Sequence, residues 1–253
     1  MIVLETIAVA LSMFTVIPMP AFEWNERNMK YMLCAFPTAG CVIGALLAAV
    51  GRGFETLGLP TMITAATMTL IPFFVTGGIH YEGFADTWDA IASHKGADEK
   101  YRIMKDPHIG AFAVMHLCAY FLWMFVLWCV MPEIRILPVF LMFVLSRILS
   151  GIAVLSFPAS GREGLVTSFA ENAGKGHARA VLIVMDTAVL AVLCTAGIYG
   201  IAVAAAAHIV YVCFRHMVKV NFGGISGDLS GWFVAEAEKW MLTVLVVLEL
   251  LIK

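Results

Sequence analysis

The chain has 253 residues, of which 61% are hydrophobic and only 13% charged, and its mean hydropathy is +0.90. Soluble domains carry about 25% charged residues, so water is not the main solvent of this protein. A formal net charge of −2 excludes the strong basic field of a nucleic-acid binder.

Residues 1–17 are apolar but carry Glu5, lack a basic leading region and run into Pro18 and Pro20, which argues against a cleaved signal peptide. Apolar runs near the ~20 residues that cross a hydrocarbon core follow at about 31–51, 61–79, 110–131, 136–157, 180–197, 199–214 and 232–252. The stretch 180–214 is too long for one helix and is interrupted by Gly197 and Gly200, so it is read as two short helices. The expected fold is all-α: a polytopic integral membrane helical bundle of about seven transmembrane helices plus an N-terminal apolar helix, with cytoplasmic amphipathic helices. Residues 1–253 are read as a single transmembrane catalytic domain. The six cysteines sit in apolar runs without CxxC spacing and are read as core fillers.

Lys and Arg residues set the orientation of such a bundle. Eleven of them (Arg27, Lys30, Lys95, Lys100, Arg102, Lys105, Arg162, Lys175, Arg179, Arg215 and Lys219) fall in one set of connections. Three, Arg52, Arg135 and Lys253, fall in the other. The first set is therefore expected in the cytoplasm, together with the long polar segments 80–109 and 158–179. The protein is placed in the cell (inner, cytoplasmic) membrane as a multi-pass chain whose active site faces the cytoplasm.

Segment 77–96 reads GGIHYEGFADTWDAIASHKG. Its carboxylates Glu82, Asp86 and Asp89 stand at i, i+4 and i+7 and span an arc of about 60° on a helix, opposite Phe84, Trp88 and Ile91. Clustered carboxylates repel one another unless a cation neutralises them or one binds a proton. Hard oxygen donors without thiolates suit Mg²⁺ or Mn²⁺. Glu82, Asp86 and Asp89 are thus the expected metal ligands. His80, two residues before Glu82, is placed to contact phosphate or metal. Asp106 follows in KDPHIG, where Pro107 disfavours helix at Asp106 and presents it on an extended turn, as a fourth ligand or an orienting acid. Lys95, Lys100, Arg102 and Lys105 form a basic counterpart, which beside a carboxylate-bound metal suits an anionic ligand such as a diphosphate.

Residues 223–231, GGISGDLSG, echo GGIHYEG and occupy a cytoplasmic end by the same topology, so the two can converge on one site. Gly223 and Gly224 permit close backbone approach to a ligand, or equally tight helix packing in the membrane. Asp228 adds an acid. Arg147, inside a span in LSRILSG, is a functional candidate because an intramembrane arginine is costly. Glu236 and Glu238 begin the last span with Lys239 as a neighbour for a structural pair, and Asp186 and Glu249 are assigned to helix pairing.

The chain resembles the cobalamin synthase (adenosylcobinamide-GDP ribazoletransferase) family through FTVIPMP, FPTAGCVIG at 36–44, GGIHYEGFADTWDA at 77–90, IMKDPHIGAF at 103–112, Ser146-Arg147, FPASGREGL at 157–165 and GGISGDLSG at 223–231. The pair HxxGxAD and KDxxIGAF is the specific part. The resemblance implies transfer of the cobinamide-phosphate moiety of adenosylcobinamide-GDP to a hydroxyl of α-ribazole or its 5′-phosphate, with release of GMP and formation of adenosylcobalamin or its phosphate. It implies Mg²⁺ as cofactor and Asp86, Asp89, Lys105 and Asp106 as catalytic residues. Substrate contacts fall to His80, Gly77, Gly78, Arg102, Arg147, Gly223, Gly224 and Asp228. The implied partners are both substrates and the lipid bilayer, with no nucleic acid and with homo-oligomer formation left open.

The chain departs from the family pattern in Glu82 for Asp, Ala90 for Gly, Pro107-His108 for Ser-Arg, Ala113 for Gly, PASG for PYAR, and GGISGDLSGW for GGxTGDTLGA. Two other readings remain open. A membrane CDP-alcohol-type phosphotransferase shares the chemistry, but its D-x2-D-G-x2-A-R motif is absent because Ala90 follows Asp89. A small transporter would use Arg147, Glu236 and Lys239.

Overall fold

The structure is a computed structural model that describes residues 2–20, 22, 29–131, 134–160 and 175–252. Arg27, Arg162 and Lys253 of the basic tally, and most of the FPASGREGL motif, lie outside the described residues. The described residues form helices α1 (Ile2–Phe14), α2 (Met32–Ala35), α3 (Pro37–Thr56), α4 (Thr61–Thr76), α5 (Ile79–Ala92), α6 (Ala97–Met104), α7 (Ala111–Val130), α8 (Ile136–Ser156), α9 (Lys175–Thr195), α10 (Gly197–Asn221) and α11 (Gly227–Ile252). This is the expected all-α bundle.

Five helical stretches are long and apolar enough to cross a membrane: Met32–Thr56, α7, α8, α9 and α10. The protein is a multi-pass membrane protein. Its outward-facing residues include Leu122, Val184, Ile209 and Leu251, as expected where lipid is the solvent. The expected break inside 180–214 falls at Gly197, whose positive φ of 64° reverses the chain between α9 and α10. The two helices it separates are longer than expected, at 21 and 25 residues.

Two of the seven expected spans differ. The run 61–79 is cut at Gly77 and Gly78, both left-handed (φ 62° and 83°), and α5 leaves α4 at 94°. With only 14 residues, α5 is too short to cross the hydrocarbon by itself and lies at the end of the bundle. α11 has the length of a span, but Glu236, Glu238, Lys239 and Glu249 interrupt its apolar character. The three carboxylates are buried and paired: Glu236 with Lys239 and Trp240, Glu238 with Arg147, and Glu249 with Arg135. Charge in a bundle interior persists where a partner sits beside it. The expected pairings of Glu249 and of Glu236 with Lys239 are present, and Asp186 faces His208 at 3.4 Å.

α8 is the central element, 83% buried over its most apolar stretch, whereas the corresponding stretch of α9 is 17% buried and peripheral. α3 crosses α8 so closely that a Cβ on Gly44 would lie 2.7 Å from the Phe140 ring. Small residues allow such contact where the hydrophobic effect does not drive helices together. α11 runs antiparallel to α8, with Ser150 beside Ser230, Arg147 beside Glu238 and Arg135 beside Glu249. The bend at Gly77-Gly78, the α6–α7 connection and the start of α11 therefore gather at one end. α1, 13 residues or about 20 Å long, packs on α2 and α3 there. The Val16 N–H donates to the Val75 carbonyl at the end of α4 (2.9 Å).

Candidate active site

The site is built where α5 crosses the first turn of α11. Gly83 makes the crossing possible, because a Cβ there would lie 2.5 Å from the Asp228 carbonyl oxygen. Gly231 answers from α11, with a Cβ position 3.2 Å from the Cα of His80. Two close-packed glycines thus bring the acidic edge of α5 beside Asp228. From the sequence Gly83 stands only as the glycine of HxxGxAD and Gly231 only as the end of GGISGDLSG, neither with a role. The signal available was a glycine in the second turn of each helix, which is unfavourable inside a helix unless another backbone must come near.

A cleft of about 480 Å³ opens at this crossing. Glu82, Asp86, Lys105, Asp106 and Asp228 line its polar side, Gly78 its floor, and Tyr81, Leu117 and Phe121 part of its apolar wall. The expected convergence of the two glycine-acid segments is real in this respect. Lys105 Nζ donates to Asp228 at 3.1 Å, linking the KDPHIG connection to α11. Burial first, then the neighbouring Asp228 and Glu82 carboxylates, raise the Asp86 carboxyl to about 6, while Lys105 pulls it down. Asp106 is exposed and accepts hydrogen bonds from the His108 backbone N–H (2.9 Å) and ring Nδ1 (2.8 Å), which hold its carboxyl below the usual range. Asp106 follows the end of α6, its own N–H donating to the Ile103 carbonyl at 3.1 Å, so it sits in a turn before Pro107.

Asp89 shares the helix edge but is placed differently. One of its oxygens accepts the Gly110 N–H at 2.6 Å and the other the Ala113 N–H at 2.8 Å, so it caps the start of α7 from a neighbouring helix. It does not line the cleft. Arg102 pairs with Glu99 at 3.0 Å on the exposed face of α6 and does not reach the cleft either. Arg147 is 1% exposed and bonds to Glu238, Ser146 and the Phe143 carbonyl. Gly77 forms the bend, where a Cβ would press on Val16.

Gly223 and Gly224 border a separate cavity of about 250 Å³ with Arg215 and Lys219. The backbone approach that Gly224 permits is to Ala159 and Ser160, through a parallel bridge in which the Ile225 N–H donates to the Pro158 carbonyl (2.8 Å). Tyr101, not anticipated from sequence, anchors α6 by donating to the Gly224 carbonyl (2.7 Å).

Among the described residues no three Asp, Glu, His or Cys side chains form a ready-made metal cage. The donor set nonetheless suits Mg²⁺, which is commonly held by one or two carboxylates completed by water and substrate phosphate. Glu82, Asp86 and Asp228 are oxygen donors facing one cleft, with Lys105 the cation beside them.

Fold and site together define a multi-pass helical membrane protein with an acidic, lysine-flanked cleft at one end of its bundle. The Cobalamin-5-phosphate synthase family profile matches residues 6–246, and the chain belongs to that family. It is 34% identical to an adenosylcobinamide-GDP ribazoletransferase of Lachnoclostridium phytofermentans over 93% of this chain and 90% of the relative. It is likewise 34% identical to one of Clostridium perfringens (92% and 94%) and 30% identical to one of Geobacillus kaustophilus (90% of each). No solved structure matches the chain.

Proposed function

We propose that the chain transfers the cobinamide-phosphate moiety of adenosylcobinamide-GDP to a hydroxyl of α-ribazole or its 5′-phosphate, releasing GMP and completing a cobalamin. Family membership and the names of the relatives supply the substrates. The observation that carries the chemistry is the meeting of Glu82 and Asp86 from α5 with Asp228 of α11 and Lys105 in one cleft. Displacement at a diphosphate requires its charge to be neutralised, the attacking hydroxyl to lose a proton, and the reacting groups to be aligned.

Glu82, Asp86 and Asp228 would hold Mg²⁺, with Asp89 positioning α7 instead. When bound, Mg²⁺ supplies Lewis-acid neutralisation of phosphate charge. Lys105 carries positive charge to the same oxygens. One carboxylate of the cluster accepts the hydroxyl proton. The cleft-bearing end, which carries Lys95, Lys100, Lys105, Lys175 and Lys219, faces the cytoplasm by the positive-inside rule.

The test is a product assay with the purified membrane protein. Adenosylcobinamide-GDP, Mg²⁺ and either acceptor should yield equimolar GMP and corrinoid product. Failure with both acceptors would refute the reading.

A further inference from the structure

A second cavity, about 170 Å³, shares Glu82 and Asp228 with the cleft and lies on other residues of α5 and α11, closed by Met13 and Phe14 of α1, Leu33, Phe36 and Val154. Phe14 of α1 and Phe36 form an aromatic corner with ring centroids 4.1 Å apart, and the His80 ring stands 5.7 Å from Phe36. Met13 and Val154 add apolar surface. His80 is 6% exposed, and its Nε2 has no hydrogen-bond partner among the described residues. The two cavities therefore meet at two carboxylates, one side open and charged, the other small and aromatic.

Building on the transfer proposed above, we infer that the small cavity seats the benzimidazole base of the acceptor nucleoside. Each substrate can be weighed against the walls. A corrin ring is far too large for this space. Guanine and phosphate would lose hydration against Met13, Phe14 and Phe36 without gaining enough polar partners. The flat, apolar benzimidazole loses little on entry and gains stacking surface. Its imine nitrogen is an acceptor for the ring N–H of His80.

Geometry supplies the second argument. In-line displacement needs the attacking and leaving oxygens on opposite faces of the phosphorus. With the diphosphate in the open cleft beside Lys105 and the base behind Glu82 and Asp228, the ribose hydroxyl approaches from the face opposite the departing GMP. Its oxygen bonds to the cobinamide-side phosphorus as the bond to the bridging oxygen breaks. GMP keeps that electron pair, and the hydroxyl proton passes to a carboxylate at the junction.

Separate titration of each substrate tests this. Met13→Trp, which fills the cavity, should raise the acceptor KM by about tenfold or more, and Phe14→Ala by less, while the donor KM stays within about twofold. An unchanged acceptor KM, or equal rises in both, would overturn the inference. Because α1 variants can lose fold, an azidobenzimidazole riboside should also be photolysed on the unaltered protein. Labels at residues 13–14 or 33–36 support the site, and labels confined to α7 overturn it. Active wild-type enzyme with unshifted variants refutes the subsite alone, whereas inactive wild-type enzyme refutes the transfer as well.

Discussion

Two groups of charges separate the functional end of the molecule from its middle. At the crossing of α5 and α11, Glu82, Asp86 and Asp228 share a cleft with Lys105 as their cation, and burial, reinforced by the neighbouring carboxylates, raises Asp86 to about 6. Deeper in the bundle, buried Arg147 with Glu238 and buried Glu236 with half-buried Lys239 are matched one to one. A partner lets a charge persist in the packed interior, whereas the cleft holds more carboxylates than lysines, the excess on which the proposed Mg²⁺ site rests. Pairing accounts for Arg147, Glu236 and Lys239 as packing elements, so their place in the bundle is not by itself evidence for a transport path.

The comparison can be broken most decisively at Asp86. Asp86→Asn should lower GMP release by about a thousandfold or more with helical content retained in circular dichroism. Activity near the wild-type level would end the distinction. Arg147→Met should act on stability instead, by about 3–5 kcal/mol, since it leaves Glu238 buried with the Ser146 hydroxyl but no cation beside it. The double substitution Arg147→Met with Glu238→Met should recover most of that loss in a denaturation curve. Asp89→Ala sharpens the boundary between the groups: losing the α7 cap should cost about 0.5–2 kcal/mol while Mg²⁺ affinity changes little. A collapse of Mg²⁺ affinity in that variant would return Asp89 to the ligand set.

The smallest effect is one of pH. The raised carboxyl of Asp86 must lose its proton before it binds a cation, so Mg²⁺ affinity should fall as the pH drops below about 6 and level off above it. Isothermal titration at a series of pH values checks this. A flat profile, or one rising toward acid, contradicts it.

Much of this contrast was legible in the sequence, and the remainder was not for identifiable reasons. Spacing placed Glu82, Asp86 and Asp89 on one helix edge, but a helical wheel says nothing of what lies opposite. The amides of Gly110 and Ala113, which occupy Asp89, come from a helix more than 20 residues later. Arg147 was conspicuous as a lone charge in an apolar run, yet its partner Glu238 lies 91 residues away and only the antiparallel packing of α8 and α11 reveals it. The repeat of GGI motifs anticipated that Asp228 would join the site. It also suggested a ligand role for Gly224, where the backbone that comes near belongs to Ala159 and Ser160. The 94° bend was hidden because Gly77 and Gly78 sit inside an otherwise continuous apolar run.

Joint binding of Mg²⁺ by acids of two helices, Glu82 and Asp86 with Asp228, is the core of the proposed transfer. It is tested most directly by the Mg²⁺ concentration that half-saturates GMP release in wild type, Glu82→Gln and Asp228→Asn. No release is expected in chelator, and the half-saturating concentration should rise at least about tenfold in each variant. Release that persists in chelator, or a midpoint unmoved by both substitutions, would contradict it.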